Sequence, residues 1–275
     1  TSAPFNKTLS LAGASSLVVN AGGRIILSNG ALVGPTVNLS LNGDGGGGGA
    51  IQSLGGASVV GAPVTLSSAA VALGADAGIL RFTNAIGGTG LFSKVGGGAV
   101  SLEGVNTYTG NTVVSNGTLI VSGGGRISNA ATVQVGGVSA SLLVTNGGAV
   151  TNAAGLVGAT ASQYSNTVVV QDAGSRWWNT TSLTLGDSGT NNLLRVTNGG
   201  LVYAPLIVVG QAASGTGNRI SAETGGTLLA TNAGGTGTLV VGAAGGGNLT
   251  LAGGTVWADR MYVTNGASSV TFDSG

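Results

Sequence analysis

Eight carboxylates, nine basic side chains and no histidine or cysteine make up the reactive inventory of this 275-residue chain. Without His or Cys, neither Ser–His nor Cys–His nucleophilic arrangements can form, and ordinary zinc sites and disulfides are excluded. The carboxylates are Asp44, Asp76, Glu103, Asp172, Asp187, Glu223, Asp259 and Asp273. Glycoside hydrolysis needs two of them held several ångströms apart. Asp172 and Glu223 fall at nearly equivalent points of a repeat described below, but two repeats apart, roughly 10 Å for stacked parallel strands. A lyase would need a carboxylate cluster for calcium and a basic residue beside it, and the lysines are only Lys7 and Lys94. The carboxylates therefore read as corner and solvating residues: no catalytic residue, metal ligand or cofactor is expected. A polysaccharide-degrading enzyme is the distant alternative. The stretch Asn42–Gly49 reads as a loop bulging from the body. It has one carboxylate, Asp44, too few for a calcium loop, and lacks the Lys-Ser/Thr of a phosphate loop.

The aromatic residues are more informative, because a ruler lines them up. Val196-Thr197-Asn198-Gly199-Gly200 repeats Val144–Gly148, and Val263–Gly266 repeats most of it. Asn and Gly enter φ > 0 readily, so each copy ends a strand and redirects the chain. Taking the last Gly of each corner gives Gly148, Gly174, Gly200, Gly226 and Gly254, spaced 26, 26, 26 and 28. Three positions beyond each corner from Gly174 onward stand Trp177, Tyr203, Leu229 and Trp257. The residues just before them, Arg176, Val202, Leu228 and Val256, are mostly apolar and read as inward. Alternation then puts the four in one outward column, a lateral interface or a platform for sugar rings.

One residue in five is Gly (55 of 275), 42% are hydrophobic and only 6% are charged. Disordered chains are poor in apolar residues and rich in charge, and collagen needs far more than 4 Pro. An all-β chain of short strands and tight corners remains. A formal charge of +1 with no basic stripe argues against nucleic acid. No apolar run reaches about 18 residues, so no membrane insertion is expected within this chain. Thr1–Pro4 does not open a signal peptide.

Three strands per repeat recur from Gly123 onward. One follows Asn166, Asn192, Asn218 and Asn248; another reads Leu183-Thr184-Leu185-Gly186, Ile207-Val208-Val209-Gly210 and Leu239-Val240-Val241-Gly242. Three strands and three corners predict a single three-sided parallel β-helix, with coils of about 22–30 residues over 1–275. Irregular coils are expected over 1–86, and regular ones of about 26 residues over 124–275. Inward Val, Leu, Ile, Ala and Thr stack on their equivalents, which leaves little room for charge.

Between these parts lies Gly87-Gly88-Thr89-Gly90, Lys94 before Gly96-Gly97-Gly98, the alternating Val100/Leu102 strand and the block Asn106-Thr107-Tyr108-Thr109-Gly110. Thr112-Val113 and Gly117-Thr118-Leu119 close it. In order and spacing, 87–123 resembles the passenger-associated transport repeat of bacterial autotransporters, departing chiefly at Val100, where Leu is usual. The resemblance implies a parallel β-helix coil in the stalk of a surface-exposed or secreted bacterial protein, associated with export and not with catalysis. The family's translocator barrel is not in this sequence.

The solenoid ends carry the remaining expectation, since unpaired coil edges invite another chain. No capping helix or charged cap is visible, and Val270-Thr271-Phe272 still reads as strand. The segment Thr8-Leu9-Ser10-Leu11 is a second assembly strand, stacked within a head-to-tail filament or donated to a neighbour. The leading expectation is thus a non-catalytic extracellular rod or filament subunit whose partners are copies of itself. The alternative is an adhesin that binds surface glycan through the aromatic column.

Overall fold

The computed structural model describes residues 8–9, 15–129 and 131–273. Every described strand pairing is parallel, and among the described residues there is no helix, hence none long and apolar enough to cross a membrane. The chain is a β-solenoid. Its strands fall into three ladders. One holds twelve strands, from Thr8–Leu9 through Ser141–Val144, Thr167–Val170, Leu193–Val196 and Asn218–Glu223 to Ser269–Asp273. A second runs from Ser15–Val19 to Thr255–Ala258, and a third from Ile25–Leu27 to Arg260–Val263. Val64–Ala75, Ala149–Val157 and Arg176–Leu185 turn a corner without breaking and so contribute to both of the latter. About eleven turns at about 4.8 Å each give a body about 50 Å long.

Short strands suffice because each finds partners on both sides. Val, Ile, Leu and Thr fit a pleated, half-buried surface, and burial alternates along most strands. Inward residues form continuous columns: Phe82, Leu102, Val121, Val144, Val170 and Val196 are all fully buried. Each such side chain contributes about 1.5–3 kcal/mol relative to exposure, so the core is one-dimensional, with every coil resting on its neighbours.

Coil length follows the corners. Val144, Val170, Val196 and Ala222 succeed one another at steps of 26. Ala222 to Leu251 takes 29, while Leu102 to Val121 takes only 19. On the third ladder Ile207 to Leu239 takes 32, so the expected limits of 22 and 30 are both corrected. The stretch with the short coils turns at Gly104 and Gly110, where an added Cβ would lie 2.4 Å from Asn84 O and from Gly90 O. Only glycine allows so close a corner. The Gly-rich loop is also tighter than expected. Asp44 gathers it through its main-chain oxygen, which accepts from Gly47 and Gly49, and its carboxylate, which accepts from Gly46. Gly45 and Gly49 are buried against the body.

Candidate functional site

The outward column on the second ladder is Thr151, Trp178, Tyr203, Leu229 and Trp257. Tyr203, Leu229 and Trp257 share it as the sequence suggests, but Trp177 does not. Trp177 points inward, aligned with Val150, Val202, Leu228 and Val256, and is completely buried. Its Nε1 donates to Asn152 Oδ1 at 2.8 Å. The displacement is one residue, and its cause is Ser175. The corner residues with positive φ are Gly147, Gly174, Gly199, Gly225 and Gly253. Gly174 thus matches the first glycine of each Gly-Gly corner, and the second place is held by Ser175. A Cβ at Gly148, Gly200 or Gly226 would meet a carbonyl oxygen at 2.1–2.2 Å. Ser175 is accommodated at the matching place, and its Oγ accepts from Gly147 N at 3.0 Å. A ruler laid on the last glycine therefore slips by one at this coil, which exchanges Trp177 for Trp178 and turns Arg176 outward.

Trp178 and Tyr203 stack, with ring centroids 3.9 Å apart and planes inclined by 20°. Leu229 follows half-buried, and Trp257 is 64% exposed. The other outward column of this face reads Arg126, Ala149, Arg176, Leu201, Thr227 and Thr255. Between the two columns lies a depression of about 380 Å³ lined by Thr151, Arg176, Trp178 and Leu201.

Six of the carboxylates are committed as hydrogen-bond acceptors. Arg81 donates to Glu103 through Nε and an Nη at 2.8 Å each, and Arg195 Nε donates to Glu223 at 2.7 Å. Both arginines hold their partner's carboxyl below its usual range. Asp172 lies a further step off: it aligns with Asn198, while Glu223 aligns with Thr197. It accepts from Thr145 Oγ1, Asn146 N and Asn198 Nδ2, which together lower its pKa, Thr145 most. Asp76 accepts from Gln52, Asp259 from the Asn232 and Gly237 amides, and Asp44 holds its own loop. Asp187 lines a second shallow depression with Thr184 and Gln211. The carboxylates tie coils and corners together.

Two buried polar features escaped the sequence reading. Asn166, Asn192 and Asn218 form an internal ladder in which Asn166 Nδ2 donates to Asn192 Oδ1 (2.9 Å) and Asn192 Nδ2 to Asn218 Oδ1 (2.8 Å). The main-chain N–H of Asn166 and of Asn192 donates to the same two oxygens, each at 3.0 Å. Their 26-residue recurrence was the available signal. Asn248 is not the next rung, because it aligns with Arg219 while Gly247 aligns with Asn218. The second feature is Lys94, which sits in an inward column between Leu73 and Val114 and is wholly buried. Its Nζ donates to Val95 O, Gly96 O and Asn116 O at 2.9, 2.6 and 2.8 Å. Burial lowers its pKa to about 8, with Asp76 pulling the other way. Tyr108 is likewise buried, its hydroxyl 2.6 Å from Thr112 Oγ1 and its ring against Phe92. These residues of the repeat-like block are core and ties between coils.

The two ends differ. In the first coil Val19, Ile25 and Leu27 are only 7, 9 and 1% exposed. In the last, Val263 is 50% and Phe272 78% exposed, and Leu251, Val256, Met261, Val270 and Phe272 frame an open apolar hollow of about 220 Å³. Of the expected assembly residues, Val270, Thr271 and Phe272 form this terminal edge, whereas Thr8 and Leu9 pair with Leu32 and Val33 of the same chain. Ser10 and Leu11 lie outside the described residues. No family model, curated protein or solved structure matches this chain.

Proposed function

We propose that this chain is a non-catalytic structural protein of the bacterial exterior, a rigid β-solenoid rod that acts as a stalk or filament segment. The observation that carries the proposal is the coil-to-coil interface, which repeats for about eleven turns along all three ladders. Such a body resists bending because each ladder is continuous, and it lengthens by adding coils without changing its cross-section. The resemblance of 87–123 to the transport repeat supports the exterior location and a stalk role. Low charge and carboxylates engaged as ties support a non-catalytic one. A further parallel coil placed on Val256, Met261, Val270 and Phe272 continues all three ladders, and a second copy of the chain can supply it head to tail.

Electron microscopy and sedimentation velocity of the purified chain test this reading. Rods of uniform width are expected, lengthening with concentration in multiples of about 50 Å. Replacing Phe272 and Met261 by Asp is expected to leave single rods that no longer lengthen. Compact spherical particles would sink the rod, and short monodisperse rods at all concentrations would sink the self-assembly.

A second reading, an adhesin that holds surface glycan, is favoured by the stacked, half-buried Trp178–Tyr203 pair on the outward face.

A further inference from the structure

Trp178 has a large outward neighbour in the following coil but not in the preceding one. Tyr203 covers the face of the indole toward the following coil. The preceding coil offers only the half-buried Thr151 at that position and, beside it, Ala149, which is itself buried. Neither side chain is large enough to cover an indole, so the second face of Trp178 stands above a ledge. The ring cannot fall onto the ledge readily, because Tyr203 holds it in a stacked pair.

The ledge is also charged. Arg176 stands two residues from Trp178 on the same strand, hence about 7 Å away along it. Arg126 occupies the same column two coils earlier, with Ala149 between them, a separation of about 10 Å across the ledge. Both arginines are exposed, and neither guanidinium makes an ion pair or a side-chain hydrogen bond among the described residues. Arg81 and Arg195, by contrast, are both held by glutamates on the next coil. No carboxylate stands in either outward column of this face between Arg126 and Trp257.

A flat apolar face beside two unpaired planar cations fits a ring that has one apolar face and carries a carboxylate. We propose that the ledge formed by Thr151, Arg176 and Trp178, with Arg126 opposite, binds a uronate unit of an acidic polysaccharide. The sugar's axial C–H face lies on the free face of Trp178. Its carboxylate accepts from the guanidinium of Arg176, whose fork matches the two oxygens. Thr151 Oγ1 is available to a ring hydroxyl, and Arg126 takes the carboxylate of a neighbouring sugar. The depression of about 380 Å³ suits one or two rings and leaves the polymer free to continue along the face. The site rests on the adhesive reading and is independent of the rod itself.

Oligogalacturonate is the probe, with neutral galacto-oligosaccharide of equal length as the control, titrated by calorimetry against the full chain. Binding of the first and not the second is expected. Arg176→Gln should weaken it about tenfold or more and Trp178→Ala several-fold, since a charge-assisted hydrogen bond is worth about one decade or more and a stacked ring up to about one decade. Trp257→Ala, three coils away, should leave it unchanged. Cooperative melts within a few degrees of the parent chain verify folding of the variants. Equal binding of the neutral sugar, or undiminished binding by Arg176→Gln and Trp178→Ala, overturns this site while leaving an adhesive role elsewhere on the rod. No binding of any oligosaccharide by the parent chain overturns both the site and the glycan-adhesin reading.

Discussion

Replacing Asn192 by Ala removes the middle rung of the buried asparagine ladder, and the loss can be worked from its partners. Asn192 Oδ1 accepts from Asn166 N and Asn166 Nδ2, and its Nδ2 donates to Asn218 Oδ1. All three asparagines are at most 1% exposed, so water does not reach the groups left behind without opening the corner. The substitution orphans two buried donors on Asn166. Asn218 Oδ1 is spared, because the main-chain N–H of residue 192 still donates to it. Each orphaned donor costs about 1–3 kcal/mol, giving a loss of about 2–6 kcal/mol. Global unfolding of a solenoid need not be two-state, so the local measurement is amide hydrogen exchange across 160–225, read beside urea melts. The control is Asn248→Ala. Asn248 accepts one exposed hydrogen bond from Ser269 Oγ, and its loss should stay within about 0.5 kcal/mol. If Asn192→Ala protects its coils as well as Asn248→Ala does, the ladder does not stabilise the corner and the accounting is wrong.

Adjacent tryptophans should respond very differently. Trp177→Ala is expected to cost about 3–5 kcal/mol as a core truncation, whereas Trp178→Ala loses little beyond a stacked pair worth about 0.5–1.5 kcal/mol; equal losses in thermal melts would refute the assigned facing. Gly186→Ala should destabilise more than Gly147→Ala. Both have positive φ, but a Cβ at Gly186 would lie 1.9 Å from Asn218 Nδ2, while at Gly147 nothing stands within 4 Å. Gly155→Ala should be partly relieved by Trp177→Leu in a double-mutant cycle, because its Cβ would lie 2.5 Å from Trp177 Cζ2, while the contacts of 2.6 and 2.8 Å to Asn179 Oδ1 and Leu183 Cδ1 remain. For pH, the folded carboxyls of Glu103, Glu223 and Asp172 lie below their unfolded values. Their contribution is therefore full above the unfolded carboxylate range and is lost as pH falls through the folded values, under about 1 kcal/mol for each exposed glutamate pair. Lys94 acts on the alkaline side. Its folded pKa of about 8 lies below the unfolded value, so stability should rise from about pH 8 to about pH 10, and Lys94→Met should flatten that limb of a pH series of melts.

The repeat was legible because the corners are chemically demanding: Asn146, Asn198 and the glycines beside them adopt positive φ, which few residues tolerate. Parallel pairing, three strands per turn and the 26-residue step follow from their spacing. What faces where was less legible, because it depends on single-residue counts at corners. Ser175 can take the place of a glycine without changing the fold, and a count of glycines alone does not register it. Lys94 and the asparagine ladder were missed for another reason. Polarity marks a residue as surface unless its partners are known, and here the partners are main-chain carbonyls and equivalent residues in the next coil. Asn179 is hidden in the same way, fully buried and hydrogen-bonded to Asn152 and to Tyr203 O.

The coil at Arg176–Leu185 shows how one interior requirement shapes the surface. An indole is larger than its column neighbours Val150 and Val202, and Trp177 fits between them because Gly155 leaves a gap in the coil before. Its Nε1 then requires an acceptor, and Asn152 supplies it, braced by its own Nδ2 donating to Asn179 Oδ1 on the next coil. Alternation sends both neighbours of Trp177 outward, so the step that buries one tryptophan also projects Arg176 and Trp178 from the same strand. The preceding coil is light on both sides of its sheet: Gly155 inside, Ala149 and Thr151 outside. The ledge on the surface and the gap in the core thus lie in the same coil. Exchanging that coil for one of its Val- and Leu-filled neighbours should remove both together.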